Sequence, residues 1–151
     1  MRILVVSDTH RDFSALHHAV QTQPKAEIVL HLGDGEEELM QIKPMFPEKM
    51  IVGVRGNCDF GSLLPWEEEL SVEGKKIFFT HGYTYQVKMT LYNLECAARD
   101  RKADIALYHS KDRGNGRVTV YDDSMGLSLA RGAGTIIQIN NTKNKYVLLK
   151  K

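Results

Sequence analysis

Residues 2–10 read Arg-Ile-Leu-Val-Val-Ser-Asp-Thr-His, and the fold follows from where that stretch changes character. Residues 2–7 (RILVVS) form a short, continuous, β-branched run that suits a strand buried on both faces, and the run stops at the polar cluster Asp8-Thr9-His10. Apolar residues then recur at helical spacing (Phe13, Leu16, Ala19, Val20), with Asp12 placed to cap the helix. The unit is a strand, a polar loop and a helix. It repeats in looser form: residues 26–32 (AEIVLHL) end at Gly33-Asp34-Gly35, residues 36–42 read as a short helix before Pro44 and Pro47, and residues 50–54 (MIVGV) end at Arg55-Gly56-Asn57. Three such strands with crossovers between them imply a parallel sheet with right-handed connections.

Beyond a polar loop at 61–65, residues 69–72 and 76–80 read as a hairpin about Gly74-Lys75, its second strand running into His81-Gly82. Residues 90–101 carry Leu91, Leu94, Ala97 and Ala98 on one helical stripe. Residues 103–108 (ADIALY) form another buried strand, leading to His109, and short strands are expected at 117–121, 126–129, 135–139 and 145–149. The chain is therefore an α/β layered domain with an antiparallel C-terminal part. There is no internal repeat, linker or low-complexity tract.

Composition narrows the function. Twenty basic and nineteen acidic side chains leave a formal charge of +1, so nucleic acid is not signalled. No apolar run reaches the eighteen or so residues of a membrane helix. Cys58 and Cys96 lack CxxC spacing and the N-terminus lacks a leader pattern, so a reducing cytoplasm is the expected location.

The decisive regularity is positional. Asp8 and His10, Asp34, Asn57, His81 and His109 each fall at or just beyond a strand end, where open α/β sheets form their ligand crevice. Singly, an Asp there is an ordinary cap, an Asn beside a Gly an ordinary turn and a His an ordinary hydrogen-bonded group. Together they are a carboxylate, imidazole and carboxamide set for divalent ions. One shared carboxylate can hold two ions roughly 3.5–4 Å apart, and Asp34, flanked by Gly33 and Gly35, is the natural bridge.

Asp8-Thr9-His10, Gly33-Asp34, Gly56-Asn57-Cys58-Asp59 and His81-Gly82, in this order, resemble the D-x-H, G-D, G-N-C-D and H-G blocks of the calcineurin-like metallophosphoesterases, in particular their small bacterial and archaeal branch. The resemblance runs to about Tyr108. It implies a four-layer αββα sandwich of two mixed sheets flanked by helices, formed by a single domain over 1–151. It also implies two divalent ions, with manganese expected first and nickel, zinc, iron or magnesium as alternatives. Asp8 and His10 would bind one ion, Asp34 would bridge, and Asn57 and His81 would bind the other, with Asp34, Asn57 and His81 as the catalytic set. The implied reaction is phosphodiester or phosphomonoester hydrolysis of a small substrate by a bridging hydroxide, in a protein that could form a homodimer or homotetramer. Larger relatives place a leaving-group His after the Asn; Cys58 stands there and is expected to be a packed thiol.

Three positions depart from the family pattern. His81-Gly82-Tyr83 replaces H-G-H, His109-Ser110-Lys111 replaces G-H-x-H, and the Asn-Pro-Gly-Ser stretch near Leu127-Ser128-Leu129-Ala130-Arg131-Gly132 is missing. The segment 109–132 is thus diverged or incomplete against that pattern, and His109 could complete either ion. The alternative function is a weakened or inactive scaffold of the same fold that binds protein partners. A receiver-like acid pocket leaves His10, Asn57 and His81 unexplained, and no G-x-G-x-x-G follows the first strand to support a dinucleotide fold.

Overall fold

In a computed structural model, side chains are described for residues 1–109, and backbone alone for 110 and for the strands at 117–122, 126–129, 134–140 and 145–149. Lys111 and residues 130–132, named above, lie outside the described residues.

The strands are β1 (Arg2–Val6), β2 (Ile28–His31), β3 (Met50–Gly53), β4 (Glu67–Val72), β5 (Lys75–Thr80), β6 (Ile105–Ser110), β7 (Arg117–Asp122), β8 (Gly126–Leu129), β9 (Gly134–Asn140) and β10 (Lys145–Leu149). They form two five-stranded sheets, ordered β10-β9-β1-β2-β3 and β4-β5-β6-β7-β8. Strands β1, β2 and β3 are parallel, as the repeated strand-loop-helix pattern requires, while β9 and β10 join antiparallel. In the second sheet β5 and β6 are parallel and the other pairings antiparallel, so both sheets are mixed.

Side-chain alternation along the strands builds the layers. Ile3, Val5, Ile28 and Leu30 from one sheet meet Ile77, Phe79, Ile105 and Leu107 from the other in a single buried cluster. The opposite face of the first sheet, with Leu4, Val6 and Val29, packs on Leu16 and Val20 of α1 (Phe13–Gln21) and on Leu39 and Ile42 of α2 (Glu36–Ile42). Phe78, Ala106 and Tyr108 on the outer face of the second sheet pack on Leu94, Ala97 and Ala98 of α3 (Tyr92–Asp100). The result is the helix, sheet, sheet, helix order implied by the family resemblance.

Local chemistry sets the element ends. Asp12 accepts the Ala15 N–H at 2.9 Å and starts α1 where its sequence position predicts. Helix α3 begins two residues later than the apolar stripe suggests, because the Thr90 hydroxyl accepts the Tyr92 N–H at 3.2 Å and so stands outside the helix.

Register then carries the fold toward function. Phe79 pairs with Leu107 across parallel β5 and β6, so two residues onward His81 and His109 leave adjacent strands on the same inter-sheet face. Their rings stack 5.3 Å apart. Because Phe79 is fully buried in the layer beneath, Phe79→Ala should cost about 3–5 kcal/mol of unfolding free energy, measured by urea denaturation. A loss under about 1 kcal/mol would show that the two sheets do not depend on this layer.

Candidate metal centre

Loops after β1, β2 and β3 are tied together by their backbones before any ligand is considered. The Asp8 N–H donates to the Gly33 carbonyl at 2.9 Å and the His10 N–H to the Asp34 carbonyl at 3.0 Å. Asp8 (φ 54°), His10 (φ 42°) and Asp34 (φ 58°) all adopt the left-handed conformation, an uncommon one for side chains larger than glycine. Gly33 and Gly56 allow the loops to meet. A Cβ on Gly33 would fall 2.6 Å from the Gly56 nitrogen, and one on Gly56 would fall 2.0 Å from Asp34 Oδ1.

Among the described residues the side chains converge in two groups, Asp8 with His81 and His109, and His10 with Asp34 and Cys58. Asp8 spans the pair, its Oδ1 3.1 Å from His10 Nε2 and its Oδ2 2.7 Å from His109 Nδ1. Asp34 faces both as well: its Oδ2 lies 3.4 Å from His81 Nε2 and 4.0 Å from His10 Nε2. Asn57 lines a groove of about 440 Å³ together with His81 and His109, and its amide donates to Cys58 Sγ at 3.3 Å. A second groove, of about 790 Å³, lies on the His10 side and is lined also by Asp34, Cys58, Glu36 and Phe60.

The donor set fits divalent ions. Asp34 Oδ2, both His81 nitrogens and His109 Nε2 are buried and make no hydrogen bond among the described residues. Polar atoms so placed are costly unless something pairs with them. Ser7 Oγ at 2.8 Å and Asp8 Oδ2 at 2.7 Å both face His109 Nδ1, which turns Nε2 toward the crevice as the nitrogen placed to ligate, the arrangement by which neighbouring polar groups orient a metal-binding imidazole. Both carboxylates are kept ionised. Burial alone would raise the Asp34 carboxyl, but the His81 ring beside it and the Cys58 N–H, donated at 2.8 Å, hold it well below the usual carboxylate range. Burial opposes ionisation of Asp8 too, and His109 and His81 together outweigh it.

Two groups that support the site escaped the sequence reading. Asp59, read only as the end of the G-N-C-D block, accepts the N–H groups of Asp34 (2.8 Å), Gly35 (2.9 Å), Glu36 (3.1 Å) and Gly56 (2.8 Å). His31, the one polar residue in the stretch IVLHL at 28–32, is 1% exposed. Its Nδ1 accepts the Gly33 N–H at 3.2 Å, so Nε2 carries the proton toward Thr9 Oγ1 at 3.1 Å. Burial lowers the His31 pKa to about 4, although Asp59, Glu38 and other carboxylates pull the opposite way. One expectation is corrected: Cys58 is exposed rather than packed, because its N–H is drawn to Asp34 Oδ1 at the surface of the crevice. Trp66 and Tyr83 stack on each other with ring centroids 6.2 Å apart, and Arg55 covers Trp66 at 4.3 Å, so these aromatics have partners within the chain.

The family model for the calcineurin-like phosphoesterase superfamily domain matches residues 1–115. The chain belongs to the calcineurin-like phosphoesterase superfamily. A curated relative, the probable metallophosphoesterase YsnB of Bacillus subtilis, is 33% identical over 119 residues, covering 76% of this chain and 67% of that one. Three solved structures share the fold. A predicted phosphoesterase from Streptococcus pneumoniae superposes with TM-score 0.71 at 24% identity, over 99% of this chain and 88% of that one. An archaeal phosphodiesterase gives 0.65 at 20%, over 99% of both. Vps29 from Entamoeba histolytica gives 0.63 at 15%, over 99% and 97%. Catalyst and sorting protein thus share one scaffold at similar distance, and the chemistry of this phosphoesterase has to be argued from its side chains.

Removing the Asp59 acceptor strands several N–H groups around Asp34. Asp59→Ala should therefore cost about 3 kcal/mol in urea denaturation and weaken metal binding about 10–100-fold by calorimetry, with Asp59→Asn milder in both. Unchanged metal affinity in Asp59→Ala would show that the loops hold their shape without this carboxylate.

His31 sets a pH dependence of stability. Below its ordinary value of 6.5 the unfolded chain binds a proton that the folded chain refuses until about 4, so stability present at neutral pH is lost as pH falls through that window. Between pH 7 and pH 5 metal-free wild type should lose about 2 kcal/mol more than His31→Gln. Parallel stability curves for the two proteins would mean that His31 is not held neutral.

Proposed function

We propose that this phosphoesterase hydrolyses phosphodiesters at a two-ion centre held by Asp8, His10, Asp34, Asn57, His81 and His109. The observation that carries the reading is the convergence of buried ligand-type atoms without hydrogen bonds among the described residues, Asp34 Oδ2, His81 Nε2 and His109 Nε2, from the ends of β2, β5 and β6. Asp34 is the shared ligand, since a single fully buried oxygen faces both His10 and His81. His109 belongs with Asn57 and His81, on whose groove it opens and against whose imidazole it stacks. This choice between the two alignments leaves the His10 side with fewer imidazoles.

When bound, the ions supply an activated water and neutralise charge on the phosphoryl group. The protein's own part is positioning. Asp59 fixes the backbone on either side of Asp34, Asp8 orients His109, and the pairing of Asn57 with Cys58 directs the carboxamide. No imidazole follows Asn57, so departure of the leaving group is unassisted and esters with acidic leaving groups react best. The ion class expected first is manganese. The scaffold reading shares the fold but predicts neither metal uptake nor turnover.

Asp34→Ala should lose bound metal by elemental analysis, and its hydrolysis of an aryl phosphodiester with added manganese should fall by more than about a hundredfold, roughly 2.7 kcal/mol of barrier. Retention of the full metal complement would remove Asp34 from the bridging role. Wild-type protein that neither binds metal nor turns over ester would favour the scaffold.

A further inference from the structure

The His10 side of the centre contains a ligand-type atom for which the two-ion reading has no use. The imidazole of His10, the carboxylate of Asp34 and the sulfur of Cys58 place one donor atom each within 4.8 Å of one another, a span that metal bonds of about 2.0–2.3 Å nearly close. Cys58 is held there from two directions. Its N–H donates to Asp34 Oδ1 at 2.8 Å, and its Sγ accepts the Asn57 amide at 3.3 Å. Asp34 supplies an independent sign of a ligand. Its other oxygen, Oδ2, is fully buried, makes no hydrogen bond among the described residues, and lies between His81 Nε2 at 3.4 Å and His10 Nε2 at 4.0 Å.

The sequence explains why a further ligand is wanted at this position. His109-Ser110-Lys111 offers one imidazole where the family pattern has two, and His109 lies on the other side, stacked on His81. We propose that Cys58 Sγ is a ligand of the ion on the His10 and Asp34 side, substituting for the missing imidazole, and that this position takes a thiophilic ion of the zinc and iron class. The inference rests on the two-ion reading above. On coordination the thiol proton passes to solvent and the thiolate binds the ion, with no change of oxidation state. Thiolate donors favour zinc and ferrous iron over manganese and magnesium, so the two positions differ in kind as well as in affinity. Cys58 then acts as ligand in the place where larger relatives carry a leaving-group acid.

Cobalt(II) titration of the metal-free full chain, followed by absorption, tests this without an assay of turnover. Wild type and Cys96→Ser should develop a near-ultraviolet sulfur-to-cobalt charge-transfer band. Cys58→Ser should lack that band, keep visible ligand-field bands from the other ion, and bind the affected ion about 10–100-fold more weakly. Cobalt uptake by wild type with ligand-field bands alone would overturn the thiolate ligand and leave the two-ion centre standing. Persistence of the charge-transfer band in Cys58→Ser would also overturn it, and absence of any cobalt uptake by wild type would overturn both readings.

Discussion

One carboxylate organises the crevice from outside its clusters of ligand-type side chains. Asp59 gathers N–H groups from the loop after β2 and from the loop after β3, and thereby fixes how far apart Asp34 and Asn57 stand. Its position also suits the start of α2, where unpaired backbone N–H groups and the helix dipole favour an anion. Arg55 extends the clasp outward, donating to the Asp59 carbonyl at 3.2 Å and the Ser62 carbonyl at 3.1 Å while lying over Trp66. The rim of the crevice is thus fastened to the same point as its floor.

Such fastening is needed because the crevice is an unfavourable arrangement. Left-handed backbone at Asp8, His10 and Asp34 costs on the order of 1 kcal/mol at each position, and carboxylates and imidazoles sit where water is largely excluded. The sandwich supplies the stability elsewhere, in the layer of Ile3, Val5, Leu30, Phe79, Ile105 and Leu107 between the sheets. Rigid strands then deliver side chains that loops alone would not hold in place.

The sequence made the layering legible because buried strands and amphipathic helices announce themselves by period: β1, β2, β3, α1 and α2 lie close to where their apolar patterns put them. The donor side chains were legible for a different reason, since polar residues at strand ends stand out against the apolar runs before them. What stayed hidden acts through backbone groups. Asp59 looks like any turn residue until its four N–H partners are seen, and His31 looks like an interruption in a strand until Gly33 and Thr9 are placed around it. Cys58 was misplaced because a thiol is apolar enough to suggest packing, whereas its backbone bond to Asp34 holds it at the surface.

The order of strands has a consequence for how the chain is made. β1 lies between β2, its neighbour in sequence, and β9, which is more than a hundred residues away, with Leu4 opposite Ile136 and Ile3 opposite Ile137. While a ribosome is still adding the intervening residues, the ladder groups on one side of β1 have no strand to pair with, an exposed edge of the kind that recruits other chains. The first sheet is therefore completed only after β9 and β10, more than a hundred residues beyond β1, have emerged. Its slow step is closure of a long loop, and it is the stretch of synthesis before that closure during which a chaperone has something to protect.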